Sequence, residues 1–212
     1  MHIPDGILPL PVTLGGYAVC AAAVFFCLNR INKRPDPAED IPKAALLTAA
    51  FFVASLIHIP IPPASMHLVL SGLLGVLLGF FSIPAILIGL FFQAAMFGHG
   101  GLTTLGVNGV IIGFPAMAAH YMFRLGIRGH RGPKQTATFA FLAGSLAIML
   151  SVLLFSLLLV TAVPADLGAA VEKTAMLVLI AAHAPLALIE GVITAMIATF
   201  LLRVSPRVLH GV

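Results

Sequence analysis

The sequence predicts an all-α integral membrane protein with seven transmembrane helices, an N-terminus outside the cell and a cytoplasmic C-terminus. The composition is the first observation: 60% of the 212 residues are hydrophobic and 8% are charged, whereas soluble domains carry about 25% charged residues. The second is that the apolar residues fall into seven runs separated by turns rich in proline, glycine or charge. We therefore expect a multi-pass protein of the inner (plasma) membrane. The basic residues lie in loops rather than along one exposed face, which argues against nucleic-acid binding.

The runs form a single predicted membrane domain with three parts. Residues 1–11 are an extracytoplasmic loop, because Pro4, Pro9 and Pro11 disfavour a helix there. A seven-helix bundle follows over residues 12–204, and residues 205–212 form a cytoplasmic tail. The predicted spans are 12–31, 43–59, 66–81, 83–97, 107–125, 137–163 and 175–204. Spans three and four, which are divided by a turn around Ser82 and Pro84, are shorter than the ~20 residues of a lipid-exposed span. We expect their neighbours to enclose them in part.

The basic residues predict the orientation of the bundle. With seven spans, the first loop, the fifth loop and the tail lie on one side of the membrane. Of the eleven lysines and arginines, all except Lys173 fall in or beside these three regions. Because cytoplasmic loops are enriched in Lys and Arg, the N-terminus is predicted to lie outside.

The first residues offer three nitrogens that can reach one metal ion. These are the α-amine of Met1, the amide nitrogen of His2 and the His2 imidazole, and they close small chelate rings that leave one position of a plane open. Square-planar nitrogen coordination suits Ni(II) or Cu(II). Pro4 and Asp5 interrupt any signal peptide, so Met1 is expected to be the mature terminus. The alternative is that His2 is a chance residue in a frayed end of the chain.

Three further histidines are predicted on the same outer side, in the loops that carry His58, His67 and His99. His67 comes directly after a proline-rich turn at residues 60–63. A rigid turn would fix the position of this imidazole, which suits the fourth corner of a nitrogen plane.

Polar side chains also occur inside the apolar spans, at His120, His183 and Glu190. Ionisable groups within a membrane are candidates for a functional site, because a charge stranded in lipid is costly. The alternative is a hydrogen bond between helices, and we expect the partner of each to be a side chain of another span. The sequence leaves the role of these three residues open.

No phosphate-binding G-x-x-x-x-G-K-[ST] motif occurs in the sequence, nor does the H-E-x-x-H motif of zinc proteases. An ion site without an energy source in its own chain suggests that a partner supplies the energy.

Three motifs together resemble the CbiM/NikM family, the substrate-specificity (S) membrane subunits of energy-coupling-factor importers of cobalt and nickel. They are MHIPDG at residues 1–6, MH at 66–67 and GHGGLTTLGVN at 98–108. The resemblance covers essentially the whole chain. It implies that the N-terminal loop inserts into the bundle, and that the Met1 amine, the His2 amide nitrogen and imidazole, and the His67 imidazole bind the metal. His99 and Asn108 are expected beside the site, where they orient His67 or the N-terminal loop.

The resemblance also implies partners and a substrate. The partners are a transmembrane coupling subunit, ATPase subunits that hydrolyse ATP, and a small auxiliary membrane subunit, so the chain itself is expected not to be an enzyme. Alanines of span two are candidates for the docking face, namely Ala45, Ala49, Ala50 and Ala54. Co(II) or Ni(II) is the expected substrate, in the cobalt case for cobalamin biosynthesis, and no organic cofactor is expected.

Neither the metal nor the whole mechanism is decided by these residues. Planar nitrogen coordination favours nickel, whereas the absence of a fused auxiliary domain resembles the cobalt branch. A stand-alone ion-coupled metal carrier, and a membrane-embedded enzyme or sensor that uses an outward-facing metal, are alternatives.

Overall fold

The computed structural model describes residues 2–61, 64–128, 132–162 and 169–210, and these residues are helical apart from one β-hairpin and the connecting loops. The elements are α1 (Leu10–Ile31), α2 (Ile41–Ala54), β1 (His58–Ile61), β2 (Ala64–His67), α3 (Ser71–Leu78), α4 (Ser82–Phe97), α5 (Leu105–Gly126), α6 (Pro133–Ala162), α7 (Ala169–Val204) and α8 (Arg207–His210).

Helices α1 to α7 lie at the seven positions predicted from hydropathy. Within the described residues, five helical stretches are long and apolar enough to cross a membrane, and α3 and α4 together count as one of them. Helix α2 has 14 residues and falls short of the ~20 that a lipid-exposed span needs. The chain is therefore a helical membrane protein, and the number of its crossings stays a prediction.

The chain reverses its direction between α3 and α4, so the start of α3 and the end of α4 lie near each other. His67 precedes α3 and His99 follows α4, yet the centroids of their rings are 6.2 Å apart. A continuous helix over this stretch of 27 residues would separate its ends by about 40 Å. The reversal occurs at Gly79, with φ 56° and ψ −120°, where glycine accepts a conformation that other residues avoid. It thus lies before the predicted turn at Ser82 and Pro84, because a proline is tolerated in the first turn of a helix such as α4.

Helices extend into the predicted N-terminal loop and into the predicted tail. Helix α1 begins at Leu10 rather than after residue 11, since Pro11 occupies its first turn, where the missing N–H group costs nothing. The tail contains the short helix α8, and the side chain of Leu209 is buried in the core.

A two-stranded hairpin replaces the predicted end of span two and start of span three. Helix α2 ends at Ala54 rather than at 59, and α3 begins at Ser71 rather than at 66. The prolines between them cannot continue a helix, and strands β1 and β2 pair antiparallel with His58 opposite His67. This hairpin is the exception to the predicted all-α fold among the described residues, and His67 lies at the end of a strand.

Helix α3 is the centre of the bundle, since all eight of its residues are buried. Small residues let its neighbours approach closely: a side chain at Gly72 would collide with the backbone of Gly144 in α6, and one at Gly75 with the backbone of Ala116 in α5. Helices α6 and α7 pack together, and the Ser145 hydroxyl of α6 donates a 3.0 Å hydrogen bond to the carbonyl of Ala187 in α7.

Candidate metal centre

The N-terminal segment is held inside the bundle through the backbone of Ile3. Its N–H group donates to the side-chain oxygen of Asn108 (2.9 Å), and the Asn108 amide nitrogen donates back to the Ile3 carbonyl (3.0 Å). The Thr104 hydroxyl donates to the same carbonyl at 2.6 Å. Asn108 and Thr104 are buried at the start of α5. These bonds satisfy both backbone polar groups of the buried residue Ile3, which fixes the position directly after His2.

Asp5 anchors the same segment to the glycine-rich loop before α5. Its carboxylate accepts hydrogen bonds from the N–H groups of Leu102 (3.2 Å) and Thr103 (2.9 Å) and from the Thr103 hydroxyl (2.5 Å). The Thr103 hydroxyl bond is the largest cause that lowers the pKa of Asp5 below its usual 3.8, so this anchor is ionised at neutral pH. A side chain at Gly101 would overlap the Asp5 carboxylate, and glycine is therefore needed at this position.

The imidazoles of His2 and His67 lie side by side. Their ring centroids are 4.9 Å apart and their planes are parallel within 3°. Two imidazoles on adjacent corners of one ion, with metal–nitrogen distances of about 2 Å, have centroids about 4–5 Å apart. The observed separation is close to this range, and the parallel planes show that the two rings are stacked face to face.

Both ring nitrogens of His2 are buried and have no hydrogen-bond partner among the described residues, although part of the residue is accessible. A buried polar atom without a partner requires an explanation, and an absent ion is one of the few available. Burial lowers the pKa of His2 well below its usual 6.5, and the neighbouring His67 and His99 lower it further. The ring is thus neutral, which is the form that binds metals.

The structure describes the positions of some of the remaining predicted site residues but not of others. The ring of His99 lies 6.2 Å from that of His67, tilted by 34°. His67 itself has its Nδ1 atom 3.2 Å from the carbonyl of Leu68. His58 pairs with His67 across the hairpin, but its side chain lies outside the described part of the structure, as does the whole of Met1.

No group of three His, Cys, Asp or Glu side chains in the described ranges is arranged to hold a metal ion. The thiols of Cys20 and Cys27 are buried within α1. A metal at His2 and His67 would consequently need further ligands from elsewhere, and main-chain nitrogens at the N-terminus are the ones that the sequence offers.

The polar residues inside the spans do not find the side-chain partners that we expected. Glu190 accepts hydrogen bonds from the backbone N–H groups of Val69 and Leu70, and the Nδ1 atom of His183 lies 2.8 Å from the carbonyl of Leu179 in its own helix. His120 is fully buried and packs beside the rings of Phe80 and Tyr121. The backbone satisfies Glu190 and His183 because the start of α3 and the turns of α7 bring its groups within reach.

The alanines of α2 divide into two sets. Ala45 and Ala49 line an apolar groove of about 570 Å³ between α2 and α4, and Ala50 is also exposed. Ala54 has 7% of its surface accessible and belongs to the core. Because the last turn of α2 packs inward, Ala54 is less accessible to a partner than the other three alanines.

Sequence reasoning missed the contacts made by Thr104, Asp5 and Glu190. Asp5 binds N–H groups of the loop before α5, and the Thr104 hydroxyl donates to the Ile3 carbonyl without capping α5, so no helix-capping pattern in the sequence marks these contacts. No local pattern pairs Glu190 with the segment after His67, which is about 120 positions earlier in the chain.

Comparisons with known proteins agree with this architecture. The family model described as the cobalt uptake substrate-specific transmembrane region matches residues 2–208. The cobalt transport protein CbiM of Clostridium tetani is 33% identical over 221 residues, which cover 100% of this chain and 90% of that protein. The fused nickel transport protein NikMN of Rhodobacter capsulatus is 35% identical over 134 residues, covering 61% of this chain and 38% of that protein.

A solved structure, that of a truncated transition metal transporter, superposes with a TM-score of 0.75 at 25% identity and covers 96% of this chain and 99% of that one. The match of the family model over nearly the full length and the identity to CbiM agree with this fold. The chain therefore belongs to the CbiM family of cobalt and nickel transport proteins.

Proposed function

We propose that the chain is the substrate-binding membrane subunit of an ATP-driven energy-coupling-factor importer. It captures Co(II), or alternatively Ni(II), from outside the cell through the Met1 amine, the His2 amide nitrogen, the His2 imidazole and the His67 imidazole. His99 lies beside His67, and Asn108 holds the N-terminal loop. The chain itself hydrolyses no ATP, so the energy comes from a partner.

The observation that carries this proposal is the pairing of His2 with His67. The two imidazole rings lie 4.9 Å apart, and the ring nitrogens of His2 are buried without a partner among the described residues. The bonds to Ile3 and Asp5 hold the N-terminus against these rings. A ligand set of two imidazoles and two main-chain nitrogens suits first-row transition metals rather than Mg²⁺ or Ca²⁺, which prefer oxygen.

The directions of the helices support an outward-facing site. Helices α1 and α5 run side by side away from the histidines, since Gly16 packs against Val107 near the start of both. The guanidinium of Arg30, at the far end of α1, lies 6.0 Å from the ring of Phe80 in the reversal between α3 and α4. The arginine-rich end is thus opposite the histidines, and the positive-inside rule then directs the histidines outward, in the plasma membrane.

The partners of the proposal are a transmembrane coupling subunit, ATPase subunits and a small auxiliary subunit. The relative NikMN is a fused protein by name, which favours an assembly with further transport polypeptides over a carrier that acts alone. The groove beside Ala45 and Ala49 fits an apolar helix of the coupling subunit. Cobalt is the substrate that we favour, since the family model and the CbiM relative bear its name.

Metal titration of the purified chain tests the proposed ligands. The native chain should bind Ni(II) or Co(II) tightly, and acetylation of the α-amine or His67→Ala should abolish tight binding. His58→Ala is the matched control, since it removes the histidine opposite His67 in the hairpin and should leave the affinity unchanged. Tight binding by the acetylated chain would overturn the proposed site.

Uptake into liposomes tests the proposed energy source. The chain alone should accumulate no metal, and a coupling subunit with its ATPases should restore ATP-dependent uptake. Uptake by the chain alone, driven by an ion gradient, would favour the stand-alone carrier instead.

A further inference from the structure

Glu190 is the feature that the proposed chelate leaves unexplained. With 1% of its surface exposed, it is the one buried acidic or basic side chain, histidine apart, in the part of the chain that the structure describes. It lies in the middle of α7, where a carboxylate is costly unless it is fully hydrogen-bonded.

The partners of this carboxylate are two successive peptide groups of the segment that joins His67 to α3. One oxygen accepts from the N–H of Val69 at 2.5 Å, and the other accepts from the N–H of Leu70 at 2.9 Å. Each of the two oxygens therefore accepts one backbone hydrogen bond. The N-terminus of α3 follows directly, and its partial positive charge also favours an anion here.

The held segment has a strained backbone. Leu70 is the non-glycine residue with positive φ (54°) among the described residues, a conformation that leucine rarely adopts. Such a conformation persists where surrounding contacts impose it, and it is often found beside functional sites. Glu190 accepts hydrogen bonds from Leu70 itself and from Val69 before it, so its carboxylate holds the strained residue, which lies three positions after His67.

Glu190 is also fixed in its own helix pair. A side chain at Gly144 of α6 would collide with the backbone of Glu190 and Gly191, and Ser145 is hydrogen-bonded to Ala187 one turn away. The carboxylate is therefore held by two tightly packed helices, and its hydrogen bonds fix the segment after His67 relative to these helices.

On the basis of the proposed function, we infer that Glu190 is a positioning residue for His67: its carboxylate clamps the peptide groups at 69 and 70 and so places the imidazole against His2. If α6 and α7 moved relative to the rest of the bundle, Glu190 would move the segment after His67 with them. This movement would draw the His67 imidazole away from the bound ion.

A double-mutant cycle tests this inference on the purified full-length chain, with Cu(II) as the probe. Cu(II) binds nitrogen ligands more tightly than Ni(II) or Co(II), so that affinities remain measurable without His67. Glu190→Gln keeps the size of the side chain but replaces one acceptor with a donor that faces an N–H group. We expect it to weaken Cu(II) binding about tenfold, the size of effect seen when groups that orient metal ligands are lost. In a His67→Ala background it should change the affinity by less than about twofold, because the two residues act as one unit.

Ser145→Ala is the matched control. It removes a hydrogen bond of the same helix pair and leaves the carboxylate in place, so Cu(II) affinity should be unchanged. Hydrogen exchange of the 64–74 segment should accelerate in Glu190→Gln and not in Ser145→Ala, and gel filtration confirms that each variant is folded.

The outcomes distinguish a failure of the positioning role of Glu190 from a failure of the proposed metal site. If Glu190→Gln has no effect, or weakens binding equally in both backgrounds, the positioning role is wrong while the chelate stands. If His2→Ala and His67→Ala themselves leave Cu(II) affinity unchanged, the proposed chelate fails and the role of Glu190 fails with it.

Discussion

Asn108 pairs with Ile3 through both atoms of its amide, accepting from the Ile3 N–H and donating to the Ile3 carbonyl. A side-chain amide carries an acceptor oxygen and a donor NH₂ group, so it can pair with both the N–H and the C=O of one residue. The pairing reaches from α5 across 105 positions of sequence to the residue next to His2, so it fixes where the histidine lies.

Replacing Asn108 by Asp should weaken metal binding. The carboxylate still accepts from the Ile3 N–H, but it cannot donate, and it faces the Ile3 carbonyl oxygen. We expect a loss of Ni(II) affinity of about 10–100-fold, as for other groups that orient metal ligands, measured by titration of the purified chain. Asn32→Asp, at the end of α1, makes the same chemical change away from the site and should have no effect. Equal affinities in all three chains would show that the pairing does not serve the metal.

Much of this arrangement could be predicted from the sequence. For each part that could not be predicted there is a physical reason. The apolar runs of the sequence coincide in position with helices α1 to α7, and the motifs singled out His2, His67 and His99, whose rings lie near one another. The short hairpin was hidden because a brief apolar run with proline has no clear period. The contacts of Ile3 and Glu190 were hidden for another reason: each joins a side chain to backbone groups far away in the sequence, and no sequence pattern marks a backbone group, since every residue carries one.

A single methyl group at Gly101 should displace the N-terminal loop. Its Cβ would overlap the Asp5 carboxylate and the Asp5 backbone nitrogen, so Gly101→Ala cannot accommodate the anchored loop. We expect Ni(II) affinity to fall by about 10–100-fold, with the bundle still folded.

Gly15→Ala is the control for that substitution. Nothing lies within 4 Å of the Cβ position at Gly15, and alanine favours a helix over glycine by about 0.5–1 kcal/mol. Metal affinity should match the native value and thermal stability should rise slightly. If both alanine variants bind metal like the native chain, the loop does not need to dock for binding.

Metal affinity should fall steeply as the pH drops from 8 to 6. The α-amine, with a usual pKa of about 7.7–8.0, must lose its proton to bind, and so must the amide nitrogen. Burial lowers the pKa of His2 below its usual 6.5. Below pH 6.5, protonation of the ring therefore favours the undocked loop, which lowers the metal affinity further. The pKa of Asp5 is lowered from 3.8, so its anchor is present throughout and is lost only below that value.

Titration of the native chain with Ni(II) at pH 8, 7 and 6 measures this dependence, and the fluorescence or absorbance of a competing chelator reports free metal. Gel filtration at pH 6 checks that the bundle is intact. A flat profile across this range would rule out an amine among the ligands.

Inserting one leucine between Met1 and His2 tests the chelate against its fourth ligand. With histidine in third position, one amine, two amide nitrogens and one imidazole can fill a square plane without help. The inserted chain should bind Ni(II) even in a His67→Ala background, where the native terminus fails. ATP-dependent uptake in the reconstituted importer should nevertheless be lost, because an ion enclosed by the terminus alone need not dock beside His67 or leave when the partner cycles.

Insertion of the same leucine after Gly132, in the loop before α6, controls for added length and should preserve both binding and uptake. If the chain with the leucine after Met1 still requires His67 for tight binding, the metal is not held by the amine, amide and imidazole of the N-terminus.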